Sequence, residues 1–507
     1  MSSLVLYLSA AVLLAQSTVA FNCSKAPIYV DIHKRAVHDS PVFQYGSFIG
    51  VGTPAQNHSL WPSISQNHTS FAAHAYCESN STRKDCAVRT GGFFDKDDST
   101  TYVRFPSRHT FPSTNTVYSF SESGNDFQSL DMNNNDTFMG TFGQDTVRLY
   151  THYFETDGAS QSLLENSTIE IAQSGSTYPG IVGMGLSSTV LRDLAAKDMI
   201  AGRTYSLYIG QGFDRAGGLV NGSNTFGGYD AGRFTGDVHK YPMQDTMNPM
   251  SVRVKDIIIT NSNDPSSNVS LFDNTKFPSM KTAPGPFDAE LTTDQFPLSL
   301  PYEITQNFIS HLGAVKDNTW GDNSLKLKDA FTGTLSIVLD DGFVVNIPPE
   351  VLVNASNITP IQDRDEDSTA PFYLSSAFLG QVYLMADFES RNFFLAEAVQ
   401  KNNAVMPQTF CPKSTPAAYV RPKQSAWVSQ GLIGAVIGGV LGGIGIAGFA
   451  WCFVLGCRHR RAEKKAEKME KELEKGRQAK YAQMEVEDVP EFDPPPKSAK
   501  PSFWSKR

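Results

Sequence analysis

The sequence predicts a mainly β protein followed by one membrane-spanning helix and a short charged tail. Aromatic residues make up 11% of the 507 positions, with 39 Gly and 28 Pro, a composition of many short strands and turns rather than helical bundles. Extended runs separated by turn signals recur along the chain. Ile28 to Val51 is broken at His38-Asp39-Ser40-Pro41, and Leu335 to Val353 alternates around an Asp341-Gly342 turn. Gly431 to Leu455 carries no charge and is long enough to cross a bilayer.

The first twenty residues, with an apolar run from Leu4 to Ala15 and small residues at Thr18 and Ala20, read as a secretory signal cleaved near Ala20. Arg458, His459, Arg460 and Arg461 follow the apolar span directly, so the positive-inside rule places that end in the cytoplasm. The expected topology is single-pass type I with the N-terminus outside, in the cell membrane or another secretory-pathway membrane. The tail after Cys457 carries 14 Lys or Arg against 10 Asp or Glu, which leaves residues 1–457 with 29 against 42, a net charge of −13. An acidic body argues against nucleic acid as a partner.

Sequons at Asn22, Asn57, Asn67, Asn80, Asn135, Asn166, Asn221, Asn268, Asn354 and Asn357 all precede the span, as a glycosylated ectodomain requires. Cys23, Cys77, Cys86 and Cys411 fall in the same oxidising compartment, where three pairings are open. Cys77 with Cys86, closing a short polar loop, is the first choice, and it leaves Cys23 to join Cys411. Cys452 and Cys457 lie at the inner membrane face, as buried thiols or as sites for acylation. Small residues at Gly434, Gly438 and Gly442, and at Ala435, Gly439, Gly443 and Ala447, form two stripes on the span that would suit self-association of the helix.

Several motifs in order resemble the pepsin-like aspartic peptidases. They are the Gly52-Thr-Pro-Ala-Gln56 turn, GGFFDKDDSTTY ending at Tyr102, GTFGQDTVRL from Gly140 and PGIVGMGL from Pro179. Downstream follow TFGGYDAGRFTGDVHKYPM from Thr225, FDAELTTDQFPLSLPYEI from Phe287 and YLSSAFLGQVYLMADFESRNFFLAEA from Tyr373. The resemblance implies a bilobal acid-protease fold over roughly Ile28 to Ala398, two β-rich lobes with a cleft between them. The expected domains are a signal peptide at 1–20, an N-terminal lobe at 21–215, a C-terminal lobe at 216–411, a stalk at 412–430, the membrane helix at 431–457 and a cytoplasmic tail at 458–507.

That family activates water with two carboxylates that share one proton, one acting as base and the other as acid. Its first aspartate follows the Gly-Thr-Pro-x-Gln turn by seven positions, where this chain has Ser63. Anchoring the second motif on Ala289 and on Leu300-Pro301 puts Thr292 at the other aspartate. The hydroxyl and glycine that follow each family aspartate correspond to Ile64, Ser65, Thr293 and Asp294, and only Thr293 keeps the hydroxyl expected to bond across to the opposite loop. Asp294 is the nearest acid, read as a solvated or hydrogen-bonded loop residue, because no acid lies from Gln56 to Tyr76 to pair with it. The flap counterpart falls at Asn133, without the family tyrosine, and the sequons at Asn135 and Asn67 would crowd the cleft mouth if used.

No metal-ligand spacing appears among the ten histidines, and no phosphate loop or Gly-x-Ser-x-Gly elbow appears, so neither metal nor cofactor is expected. The dibasic Lys34-Arg35 is a candidate processing site that would favour an enzyme. The leading expectation is a membrane-tethered pseudoprotease that holds a peptide or protein ligand in its cleft. The alternatives are an active membrane-bound aspartic endopeptidase and a structural surface glycoprotein.

Overall fold

The computed structural model describes residues 21–40, 42–79, 86–105, 108–111, 116–119, 138–151, 161–175, 179–211, 220–246, 248–261, 264–278, 284–317, 323–328, 331–353, 357–401, 404–420 and 431–481. The expected signal segment, Asn80, Asn133, Asn135 and Asn354 lie outside the described residues.

One 13-stranded sheet is the backbone of the folded domain. It runs from Phe234–Pro242 through Asn392–Ala398, Val382–Asp387, Thr204–Tyr208 and Gly222–Phe226 to Ile28–Ala36. From there it continues through Phe43–Val51, Gln56–Ser63, Ile181–Gly183, Ser70–Ala72, Gln161–Gly175 and Phe138–Tyr150 to Val103–Arg104. The antiparallel register Ile28↔Phe226 to Ile32↔Gly222 joins strands of both halves in one hydrogen-bond ladder, and Thr204–Tyr208 inserts between Gly222–Phe226 and Val382–Asp387. A six-stranded sheet built around Ser251–Asn261 belongs to the second half alone.

Sequence period dictates the faces of these strands. In Thr334–Leu339 the side chains of Leu335, Ile337 and Leu339 are buried and those between them half-buried, as alternation on a one-sided sheet requires. Its return strand Val344–Ile347 follows a turn in which Gly342 has φ +89°, a backbone state that glycine adopts without penalty. The largest apolar core among the described residues runs through both halves, from Ile32, Leu60 and Phe71 to Leu291, Phe308 and Phe378.

Both disulfides join the four cysteines of this domain, Cys77 to Cys86 and Cys23 to Cys411. The second brings the start and end of the domain together, where Thr409 Oγ1 also donates to the Lys25 carbonyl at 2.6 Å. The compact unit extends to Tyr419. Residues 412–419 pack on it, with Tyr419 N–H donating to the Ala231 carbonyl at 2.9 Å. The second unit contains a continuous helix, Leu432–Tyr481, whose apolar first half is long enough to cross a membrane and reaches a mean hydropathy of 2.0 over its best window.

Candidate functional site

Each half of the domain ends a central strand in a loop held by a parallel neighbour. Gln56–Ser63 runs parallel to Ile181–Gly183 with Ser63 opposite Gly183, and Met184 N–H donates to the Ser63 carbonyl at 2.7 Å. Phe287–Leu291 runs parallel to Tyr373–Leu374, and Thr292 N–H donates to the Leu374 carbonyl at 3.1 Å. Ser63 and Thr292 thus occupy matching places at the tips of matching strands, both buried.

Close packing around the first loop requires glycine. A Cβ on Gly183 would come within 2.6 Å of the backbone of Asn67 and His68, and one on Gly185 would meet the Gln66 carbonyl at 2.9 Å. The Asn67 side-chain carbonyl accepts from Ser187 N–H at 2.9 Å, so this sequon asparagine is half-buried against the Gly185–Ser187 turn.

The two loops meet. Ile64 N–H donates to Thr293 Oγ1 at 3.1 Å, and the Trp61 indole N–H donates to the Thr293 carbonyl at 2.7 Å. Ser376 Oγ donates to that same carbonyl at 3.0 Å. Ile64 itself is buried and apolar and offers Thr293 no hydroxyl.

A further contact between the loops is made by the side chains of Ser65 and Asp294. Ser65 Oγ donates to Asp294 Oδ2 in a very short hydrogen bond. Ser63 and Gln66 supply further side-chain hydrogen bonds to the same carboxylate. Ser63 Oγ lies 3.4 Å from Ser65 Oγ and accepts from Gln66 N–H at 3.1 Å. Within the second loop Asp294 N–H donates to Thr292 Oγ1 at 3.1 Å, so the hydroxyl at the expected acid position braces its own loop. Burial raises the Asp294 carboxyl above its ordinary value of 3.8, and the hydrogen bonds from Ser63, Ser65 and Gln66 only partly oppose that rise. Neither a second carboxylate nor a cation contributes to this balance.

The sequence marks Asp294 as the nearest acid and as a solvated or hydrogen-bonded loop residue, without a partner across the loops. The structure brings it across the lobe boundary to Ser65. The available signal was the paired loss of glycine at equivalent positions of the two loops, replaced by side chains that can donate and accept. Trp61 as an inter-lobe donor carried no such signal.

Other expected site residues lie elsewhere. Asn22, Asn166, Asn221 and Asn268 are exposed, Asn57 and Asn357 half-buried. The Asn57 side-chain carbonyl accepts from Tyr150 OH at 2.8 Å. Lys34 and Arg35 are internal to a strand, paired with Tyr45 and Gln44. The Arg35 guanidinium lies over the Phe48 ring at 4.2 Å, so cleavage after this pair would require the strand to leave the sheet. Among the described residues no group of three His, Cys, Asp or Glu is arranged to hold a metal ion.

The two matched loops and the shared sheet define an acid-protease fold. The family model for eukaryotic aspartyl proteases matches residues 44–398, and the chain belongs to that family. It is also similar to a solved aspartic proteinase from Irpex lacteus, 16% identical over 74% of this chain and 98% of that one, with a TM-score of 0.49. A search of curated proteins found no match.

Proposed function

We propose that the protein is a membrane-anchored pseudoprotease, whose aspartic-protease domain binds a peptide or protein ligand outside the cell without hydrolysing it. The observation that carries this reading is that, among the described residues, Asp294 is the one carboxylate at the junction of the two loops, faced by the hydroxyls of Ser63 and Ser65. Shared-proton chemistry needs one acid to hold the proton while the other, ionised, takes one from water. A serine hydroxyl is far too weak an acid to take the second carboxyl's part in that exchange.

The remaining parts of the reading are a cleaved leader, glycans on the exposed sequons, an extracellular N-terminus and a tail that reports or anchors inside the cell. The secretory-type cysteine pairing and the apolar helix support that placement. The full-length protein in detergent micelles, incubated with denatured haemoglobin or casein across the acid range, tests it. No cleavage above a protein-free control is expected. Acid-optimum cleavage blocked by a statine-type inhibitor overturns it.

A further inference from the structure

The charged half of the helix Leu432–Tyr481 is rich in Lys and Glu, yet its apolar residues all fall on one line. Met469 and Leu473 are large apolar side chains that stand 63% and 66% exposed. With Ala462, Ala466 and Gly476 they recur at alternating steps of four and three residues, the spacing of a heptad seam. Met469, Leu473 and Gly476 line a groove flanked by Glu472 and Arg477. Lys471 and Glu467, paired at 2.9 Å, occupy outer heptad positions away from the seam.

The charges beside the seam specify a partner. Arg458, Lys465 and Glu472 form the row on one side of it, and Glu463, Glu470 and Arg477 the row on the other. In a parallel pair of helices, each residue of the first row meets the residue five positions further on in the second row of its partner. Arg458 then faces the partner's Glu463, Lys465 the partner's Glu470 and Glu472 the partner's Arg477, so every pair is of opposite sign. The Glu463 carboxylate also pairs with His459 of its own chain at 3.3 Å and has oxygens for both. A slip of one heptad in one direction sets Lys465 against the partner's Arg477, and in the other direction Glu472 against the partner's Glu470. The pattern therefore matches a second copy of this chain in register and penalises its neighbours in register space.

We propose that this helix is a homodimerisation element: two copies of the chain pair in parallel and in register along the seam. The proposal rests on the helix crossing a membrane and not on the cleft being inactive. Copies inserted by the same span point the same way, so the parallel geometry is the one open to them. The helix is unbroken, and the seam continues in phase through His459 into the apolar half at Leu455, Cys452, Gly448 and Gly445. Glycines at such positions allow close backbone approach in a bilayer, and a polar residue on a seam fixes register.

The two free thiols supply the test. Cys452 lies on the seam and Cys457 on the outer face, while Cys23, Cys77, Cys86 and Cys411 are held in disulfides. Full-length protein in native membranes, oxidised with copper phenanthroline and separated without reductant, should give a covalent product of two copies. Cys457→Ser should leave that product in place, and Cys452→Ser should remove it. With both thiols replaced by Ser, Leu473→Cys should restore the product and Lys471→Cys should not. Lys465→Glu turns two symmetry-related attractions into repulsions. It should weaken dimerisation at least about fivefold, read by energy transfer between labelled copies in micelles, and adding Glu470→Lys should recover most of the loss. Retention of the chain in alkali-washed membranes checks the membrane placement separately. Cross-linking through Cys457 as readily as through Cys452, no product from Cys452 or Leu473→Cys, a charge reversal that the swap does not rescue, or a product holding a different protein in place of the second copy overturns the dimer and leaves the reading of the cleft untouched.

Discussion

Ser65 and Asp294, 229 residues apart, share a hydrogen bond from hydroxyl to carboxylate across the boundary between the two lobes. Ser65 lies two residues beyond the strand Gln56–Ser63 and Asp294 three beyond Phe287–Leu291. Ser63 and Gln66 add side-chain hydrogen bonds to the same carboxylate, so its partners at this junction are neutral.

The Asp294 titration should be visible in stability. Below the ordinary aspartate value of 3.8 the carboxyl is protonated in both folded and unfolded chains, and burial carries no charge penalty. As pH rises from there to the raised folded value, the unfolded chain has lost the proton and the folded one still holds it. The folded state then binds more protons, so stability falls with rising pH across that window and stays lower above it. Denaturant unfolding of the wild type and Asp294→Asn over a pH series should show the wild type losing stability relative to the variant only within this interval. A difference independent of pH would contradict the assignment.

Thr293 Oγ1 accepts from the buried Ile64 N–H across the two loops. Thr293→Val leaves the buried Ile64 N–H without its acceptor and should cost about 1–3 kcal/mol, while Thr293→Ser keeps the oxygen and should lose much less. Chemical denaturation of both variants checks this.

Gly183→Ala should destabilise the first loop. The added carbon would sit 2.6 Å from backbone atoms of Asn67 and His68, which cannot swing aside as a flexible side chain can. A loss of about 1–3 kcal/mol is expected. Gly313→Ala has nothing within 4 Å of the new carbon, and its cost comes from the φ of +63° alone, so it separates backbone strain from overlap.

Much of this arrangement is legible in the sequence for local reasons. The Gly52-Thr-Pro-Ala-Gln56 turn fixes the start of the strand Gln56–Ser63, and Leu300-Pro301 fixes the loop that precedes the helix Tyr302–Leu312, so counting from each anchor lands on Ser63 and Thr292. The hairpin around Gly342 is equally local. The Ser65–Asp294 contact is not, because a residue's neighbours across a lobe boundary leave no trace in spacing along the chain. The packing of Tyr419 onto Ala231 escaped for a related reason, since a Pro, Ser and Ala composition reads the same in a free stalk and in a segment laid against a surface.

The two disulfides should contribute unequally. Cys77 and Cys86 are separated by 9 positions, Cys23 and Cys411 by 388. In the chain-entropy description the larger loop constrains the unfolded state about twice as strongly, roughly 6 against roughly 3 kcal/mol. Thermal unfolding of Cys23→Ser with Cys411→Ser should show the larger drop, and Cys77→Ser with Cys86→Ser the smaller.

The junction around Asp294 should not activate water. Incorporation of heavy oxygen from labelled water into the terminal carboxyl groups of a peptide mixture reports that step even where net cleavage is slight. For the full-length protein across the acid range, the rate should equal that of the protein-free control and be indifferent to a statine-type inhibitor. Incorporation with an acid optimum that the inhibitor suppresses and Asp294→Asn removes would establish a working peptidase in its place.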